Sequence, residues 1–144
     1  MNLSGKIALV TGASRGIGEA LAIGLANHGA DIIICDLNSE SSGLLKTQKE
    51  IENSGRQCLS YFLDVTQKDQ IEKMMADVFL KAGSVDVLVN NAGILTPNLL
   101  EEIDEKTWDD HFDVNTKGVL LMCQAVLPHM REKKFGRIIN IASI

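Results

Sequence analysis

The sequence predicts an α/β fold, a doubly wound parallel sheet of five strands in the order 3-2-1-4-5. Three observations carry this expectation. Short apolar runs alternate with longer amphipathic segments from Lys6 onward, the pattern of successive βα units. The runs are rich in Ile, Val and Leu with little polar alternation, as strands buried on both faces are. After the first run, Ile7–Val10, comes Thr11-Gly12-Ala13-Ser14-Arg15-Gly16-Ile17-Gly18, a glycine turn between a strand and a helix.

Each part of that turn has a physical reason. Gly12 lets the chain leave the strand at torsions that a side chain would forbid, and Gly16 removes a Cβ that would keep a pyrophosphate away from the backbone. Gly18 lets the following helix, read as Glu19–Asn27, pack closely. First-turn amides of that helix lack intrahelical partners and lie at the positive end of its dipole, which suits a diphosphate. Glycine loops also mark ordinary tight turns. The second strand, Asp31–Asp36, ends in a carboxylate at the spacing of a ribose contact, which favours a dinucleotide site.

The segment Asn38–Ser54 reads as a helix that covers one sheet face weakly, through Leu44, Leu45 and Ile51, and Gly55 ends it. Cys58–Leu63 is the third strand. Asp64 stands at its carboxyl end, where ligands collect in open α/β sheets, and equally suits a cap for a helix starting near Thr66. Ile71, Met74, Met75, Val78 and Phe79 then form one helical face opposite Lys68, Asp69, Glu72, Lys73 and Asp77, so the methionine pair belongs to the core.

Val85–Val89 is a buried central strand that delivers Asn90 and Asn91 to its end. Two adjacent asparagines there need hydrogen-bond partners, at about 1–3 kcal/mol for each group left unpaired. After a connection from Leu95 to Glu105, a long helix runs from Lys106 to about Lys134. Trp108, Phe112, Val119, Met122 and Val126 keep nearly one face, with Asn115 on it, and Pro128 should bend or end the helix. Gly136–Ser143 is the fifth strand.

The 144 residues, 45% of them apolar, suffice for one core and read as a single domain, 1–144. Fourteen basic against nineteen acidic residues give a net charge of -5, with no repeating basic face, so neither nucleic acid nor an anionic membrane is an expected partner. No apolar stretch approaches the roughly 20 residues of a membrane span and no signal-like start is present, so the expected location is cytoplasmic. Cys35, Cys58 and Cys123 form no C-x-x-C and read as buried free thiols. His28, His111 and His129 lack metal-ligand spacing and are expected to cap or decorate helix surfaces; no metal is expected.

The loop spacing, Gly-x-x-x-Gly-x-Gly preceded by Thr, resembles the cofactor loop of the short-chain dehydrogenase/reductase family. Three more segments agree in order: Asp64-Val65 resembles the family's adenine contact, Asn90-Asn91-Ala92-Gly93 its central-strand signature, and Asn115 its active-site helix asparagine. The resemblance runs from Lys6 to Ile144. It implies a Rossmann-like sheet and an NAD(P)-dependent oxidoreductase that moves hydride between a nicotinamide and a small alcohol or carbonyl substrate. It further implies cofactor contacts at Gly12, Ser14, Arg15, Gly16, Ile17, Gly18, Asp36, Asp64, Val65, Asn91, Ala92 and Gly93, and catalytic roles for Ser143 and Asn115, with Asn90 mainly structural.

In that family a serine positions the substrate oxygen, a tyrosine moves the proton, and a lysine one turn further on lowers the tyrosine's pKa. Ser143 matches the serine, but no Tyr-x-x-x-Lys follows it, and the only tyrosine, Tyr61, has Val65 four positions later. These 144 residues alone are therefore expected to be catalytically incompetent, lacking the family's last strands and helices. The fifth strand then becomes an exposed edge, and a chain that is marginally stable, aggregation-prone or completed by another polypeptide is expected. Asp36 can accept both ribose hydroxyls of NAD, whereas Arg15 suits the 2′-phosphate of NADP; Asp36 is nearer the discriminating atom, and NAD is favoured. Family members usually pair, so a homo-oligomer is expected at full length. A non-catalytic dinucleotide-binding or interaction module is the alternative, and a methyltransferase reading leaves Asn90-Asn91-Ala92-Gly93 unexplained.

Overall fold

One sheet serves two cores because successive side chains along each strand point to opposite faces. The computed structural model describes residues 2–37 and 41–142. Its strands are β1 (Ile7–Thr11), β2 (Asp31–Asp36), β3 (Cys58–Phe62), β4 (Val87–Asn90) and β5 (Arg137–Asn140), all parallel, in the order β3-β2-β1-β4-β5. The helices are α1 (Gly16–Asn27), α2 (Ser41–Asn53), α3 (Lys68–Ala82), α4 (Glu105–Phe112) and α5 (Val119–Glu132). Leu9, Ile33 and Leu88 face α3 and α5, joining Met74, Met75, Val78, Met122 and Val126. Their neighbours Val10, Ile34 and Val89 face α1 and α2, joining Ala22, Ala26, Leu44 and Ile51. The doubly wound expectation is met, and both methionines of α3 are core.

The register aligns Ala8 with Ile32 on one side and with Val87 on the other, so β1 is the centre from which the chain winds outward in both directions. A crevice opens at such a switch point, above the carboxyl ends of β1 and β4. It sets the loop after β1 beside the loop after β4.

Several elements differ in detail from the sequence reading. The first helix begins at Gly16 rather than Glu19, so the glycine turn itself forms its first turn. The long helix is divided: α4 and α5 are joined by a π-helical turn, Asp113–Gly118. That wider turn shifts the register, so Trp108 and Phe112, stacked at 4.6 Å between ring centroids, are 57% and 49% exposed, while Met122 and Val126 are buried. Asn115 lies on the exposed side too.

Pro128 sits inside α5 and does not end it. Buried Met122 and Val126 before it and Met130 after it hold both halves on the sheet, which offsets the roughly 3 kcal/mol penalty of an interior proline.

His28 accepts the expected capping role through Gly24 O, but the His129 ring packs on Phe79 at 4.5 Å, and its Nε2 is buried without a partner among the described residues. It is not a surface ornament. All of β5 is exposed, Ile139 by 45%, as expected of an uncovered edge. Cys35 and Cys58 are buried free thiols, and Cys123 is half-buried. Among the described residues, no helix is long and apolar enough to cross a membrane.

Candidate functional site

The glycine turn owes its shape to two residues in the left-handed region, Gly12 at φ 66° and Gly16 at φ 60°. A Cβ on Gly16 would meet nothing within 4 Å, so its backbone faces open space. Gly18 is different: a Cβ there would collide with Gly12 O and lie 2.5 Å from Asn91 Nδ2. Its lack of a side chain lets α1 start directly against the two loops. Arg15 is exposed at the N-cap and contributes no side-chain cap, so the first-turn amides of α1 remain available to a ligand.

A second layer of bonds ties the loop after β4 to β1. Asn91 Nδ2 donates to Thr11 O and Gly12 O, both at 3.0 Å. Thr11 Oγ1 in turn accepts from the amides of Asn91 and Ala92, each at 3.0 Å. Thr11, absent from the sequence-derived site, is the hinge pin of this junction; a buried hydroxyl at a strand end beside the glycine turn was the available signal.

Asp36 stands at the carboxyl end of β2, beside the glycine turn. Its Oδ2 accepts from Ser14 N at 2.9 Å and its Oδ1 from Leu37 N at 2.8 Å. The carboxylate is thereby aimed, with lone pairs to spare for hydroxyl donors. Asp64 does not cap α3, whose N-cap is Gln67 with no side-chain bond; its Oδ1 instead accepts from Thr66 N and Thr66 Oγ1 in an Asx turn, and the residue lines the same space as Asp36. Val65 is buried beneath Gly118, where a Cβ would lie 2.8 Å from Val65 Cγ2, so the π-helical turn rests on the end of β3.

These groups surround one cavity of about 460 Å³. Gly12, Ser14, Arg15, Gly16 and Ile17 line one wall, Asp36, Asp64 and Val65 a second, and Asn91, Ala92 and Gly93 a third. Gly18 and Asn115 are not among the residues that line the cavity. Asn115 grips Ile94, donating from Nδ2 to its carbonyl and accepting at Oδ1 from its amide. Leu37, Ile94 and Val114 also line the cavity; each is adjacent to, or one position from, a residue the sequence reading chose, and nothing in its residue type marks it.

A family model described as short chain dehydrogenase matches residues 6–144. The chain belongs to the short-chain dehydrogenase family. It is 41% identical over 144 residues to the 3-oxoacyl-[acyl-carrier-protein] reductase FabG of Thermotoga maritima, covering 100% of this chain and 58% of that protein. It is 42% identical to gluconate 5-dehydrogenase of Gluconobacter oxydans, covering 99% of this chain and 55% of that one. Among solved structures, a short-chain type dehydrogenase/reductase from Mycobacterium marinum superposes with TM-score 0.93 at 35% identity, over 99% of this chain and 57% of that one. A metagenomic short-chain oxidoreductase in complex with NADP gives TM-score 0.91 at 37% identity, over 99% and 64%. The chain spans about half the length of the curated relatives it matches.

In this member of the family, Asn90 is 3% exposed and donates from Nδ2 to Asn140 Oδ1 at 2.9 Å and to Cys123 Sγ at 3.5 Å, joining β4 to β5 and α5. Its Nδ2 fills the strand-joining role expected of it, whereas the buried Oδ1 has no partner among the described residues, so the expected pairing is met by only half of the amide. Ser143 lies outside the described residues. Tyr61 is in β3 and its hydroxyl donates to Asp77 Oδ2 at 2.8 Å. Burial, with Asp77 adding, pushes its phenol well above the usual range, the reverse of what a catalytic tyrosine needs.

Proposed function

We propose that this chain is the dinucleotide-binding part of an NAD(P)-dependent oxidoreductase acting on an alcohol or carbonyl carbon, with residues 1–144 forming a single domain. The observation that carries the reading is the convergence, on one cavity, of the α1 amino end, the Asp36 carboxylate and the Gly93 backbone. Gly16 passes the test of fit, since its open backbone leaves the room that a phosphate group requires.

In this reading the backbone of Gly12, Ser14, Arg15, Gly16 and Ile17 cradles the diphosphate, and Gly18 permits the close start of α1. Asp36 accepts the hydroxyls of the adenosine ribose, Asp64 and Val65 border the adenine, and Asn91, Ala92 and Gly93 run past the nicotinamide ribose. The cofactor, when bound, supplies the hydride acceptor or donor. Asn115 holds the π-helical turn beside that end, and Ser143 orients the substrate oxygen.

NAD is the favoured cofactor, because Asp36 repels a 2′-phosphate. Without a Tyr-x-x-x-Lys, and with Tyr61 committed to Asp77, these 144 residues bind cofactor but do not turn substrate over. The full-length protein is a cytoplasmic homo-oligomer whose partner is its small substrate rather than nucleic acid or membrane. Calorimetric titration of the full-length polypeptide with NADH and NADPH tests the reading. Saturable binding, tighter for NADH, is expected, and binding of neither would overturn it.

A further inference from the structure

Among the described residues, His111 is the one histidine whose two ring nitrogens are both engaged, and one of its partners, the Thr96 amide, lies two residues from the cavity-lining Ile94. We propose that His111 is a positioning residue that holds the loop after β4, and with it one wall of the cavity, through the Thr96 amide. The inference rests on reading that cavity as the dinucleotide site.

The loop, residues 91–99, has no regular structure, and among the described residues no backbone–backbone hydrogen bond involves residues 93–98. Apolar burial does not hold it either, since Leu95 and Leu99 are 86% and 61% exposed. Its backbone is fastened from outside. Asn115 takes both polar groups of Ile94, and Thr96 N donates to His111 Nε2 at 3.0 Å. The two fastening side chains stand one turn apart on the α4 side of the crevice. Ile94 lines the cavity and Thr96 is two residues beyond it; Asn91 and Ala92 stay pinned to Thr11 and Gly12, so release at Thr96 leaves the stretch beyond Gly93 fastened through Ile94 alone.

The geometry also selects the ring's protonation. A backbone N–H can only donate, so Nε2 must be the bare acceptor, and the ring proton of the neutral imidazole lies on Nδ1. From there it donates to Thr107 O at 2.7 Å. The same ring therefore bridges its own helix to the loop in a single tautomer. A histidine that merely decorated the helix would carry no such requirement.

The test uses the full-length polypeptide. In long-range proton–nitrogen spectra of the wild type, the His111 ring is expected as the Nδ1-protonated tautomer; the Nε2-protonated form would overturn the proposal without any variant. His111→Leu removes the acceptor and is expected to raise the exchange rate of the Thr96 amide and weaken NADH binding, each about fivefold, the size of one ordinary hydrogen bond. His111→Gln places an amide oxygen near the Nε2 position and is expected to restore NADH affinity to within about twofold of wild type. Wild-type affinity in His111→Leu, or no rescue in a folded His111→Gln, sinks this role while leaving the dinucleotide reading in place. A wild type that binds no nicotinamide cofactor overturns both.

Discussion

Asn115 and Ile94 are joined at two points, the Asn115 Nδ2 donating to the Ile94 carbonyl at 3.0 Å and its Oδ1 accepting from the Ile94 amide at 2.9 Å. Twenty-one residues separate them in the chain, and the π-helical turn that carries Asn115 aims its amide at the loop. Replacing Asn115 by Ala removes both bonds at an exposed site and should cost about 1 kcal/mol of stability. Asn115→Asp keeps the acceptor for the Ile94 amide but sets a carboxylate oxygen against the Ile94 carbonyl, and should cost at least as much. Urea unfolding of the two variants checks the order.

Two glycines of α1 make a matched pair. An alanine at Gly18 would overlap Gly12 O and crowd Asn91 Nδ2, so Gly18→Ala should destabilise by about 2 kcal/mol and weaken dinucleotide binding. At Gly24 a Cβ meets nothing within 4 Å, and Gly24→Ala should stabilise by about 0.5–1 kcal/mol. Thermal melts should shift in opposite directions; a shared direction would mean that the crowding at Gly18 is not what limits it.

Asp36→Ala removes the negative charge at the end of β2 and, with it, the acceptor for Ser14 N. The ratio of NADP(H) to NAD(H) affinity should rise about tenfold, a change of roughly 1.4 kcal/mol in relative binding. An unchanged ratio would remove the ground for favouring NAD.

Burial raises the thiol of Cys35, with Asp36 adding, and pushes Cys58 up to about 12, with Glu52 adding. Raised pKa values mean less thiolate at any given pH, and the thiolate is the species that alkylates. Iodoacetamide at pH 8 should therefore leave both unmodified in the folded protein and label them only after denaturation, with half-buried Cys123 labelled first. Peptide mass spectrometry of timed samples reads the sequence of events.

A polypeptide of these 144 residues exposes β5 along its length, and the register puts Ile139 beside Val89 on a face that no helix covers at β5. Such a polypeptide should self-associate, and Ile139→Lys should reduce the association by placing a charge on the open edge. Light scattering at matched concentrations checks this, and a stable monomer without the substitution would refute the expectation.

The winding of the sheet was readable from short-range pattern. Ile32, Ile33 and Ile34 announce burial on both faces with no polar break, and Met74, Met75 and Val78 repeat at helical spacing. Gly12 and Gly16 were legible for a different reason, since positive φ is a local demand that residue type alone can meet. Asp36 was legible because a strand of known length delivers its last residue to a known end of the sheet.

Other features depended on which donor meets which acceptor. Thr11 reads as the residue that heads the glycine turn, with no partner for its hydroxyl, until Asn91, eighty positions later, brings its amide to it. His111 reads as a helix surface until the loop lays Thr96 against its ring. Pro128 should stop a helix by local rules, yet packing through Met122, Val126 and Met130 overrides them.

By itself, then, the amino-acid sequence determined the alternation of strands and helices and the place of the glycine turn, because periodicity and backbone torsion are properties of neighbouring residues, while the family was legible only as a resemblance of four ordered motifs. Only the tertiary structure decided how the loop after β4 is fastened, where the long helix widens and which histidine meets that loop. Those outcomes belong to pairs of groups distant in the chain, whose meeting no local pattern encodes.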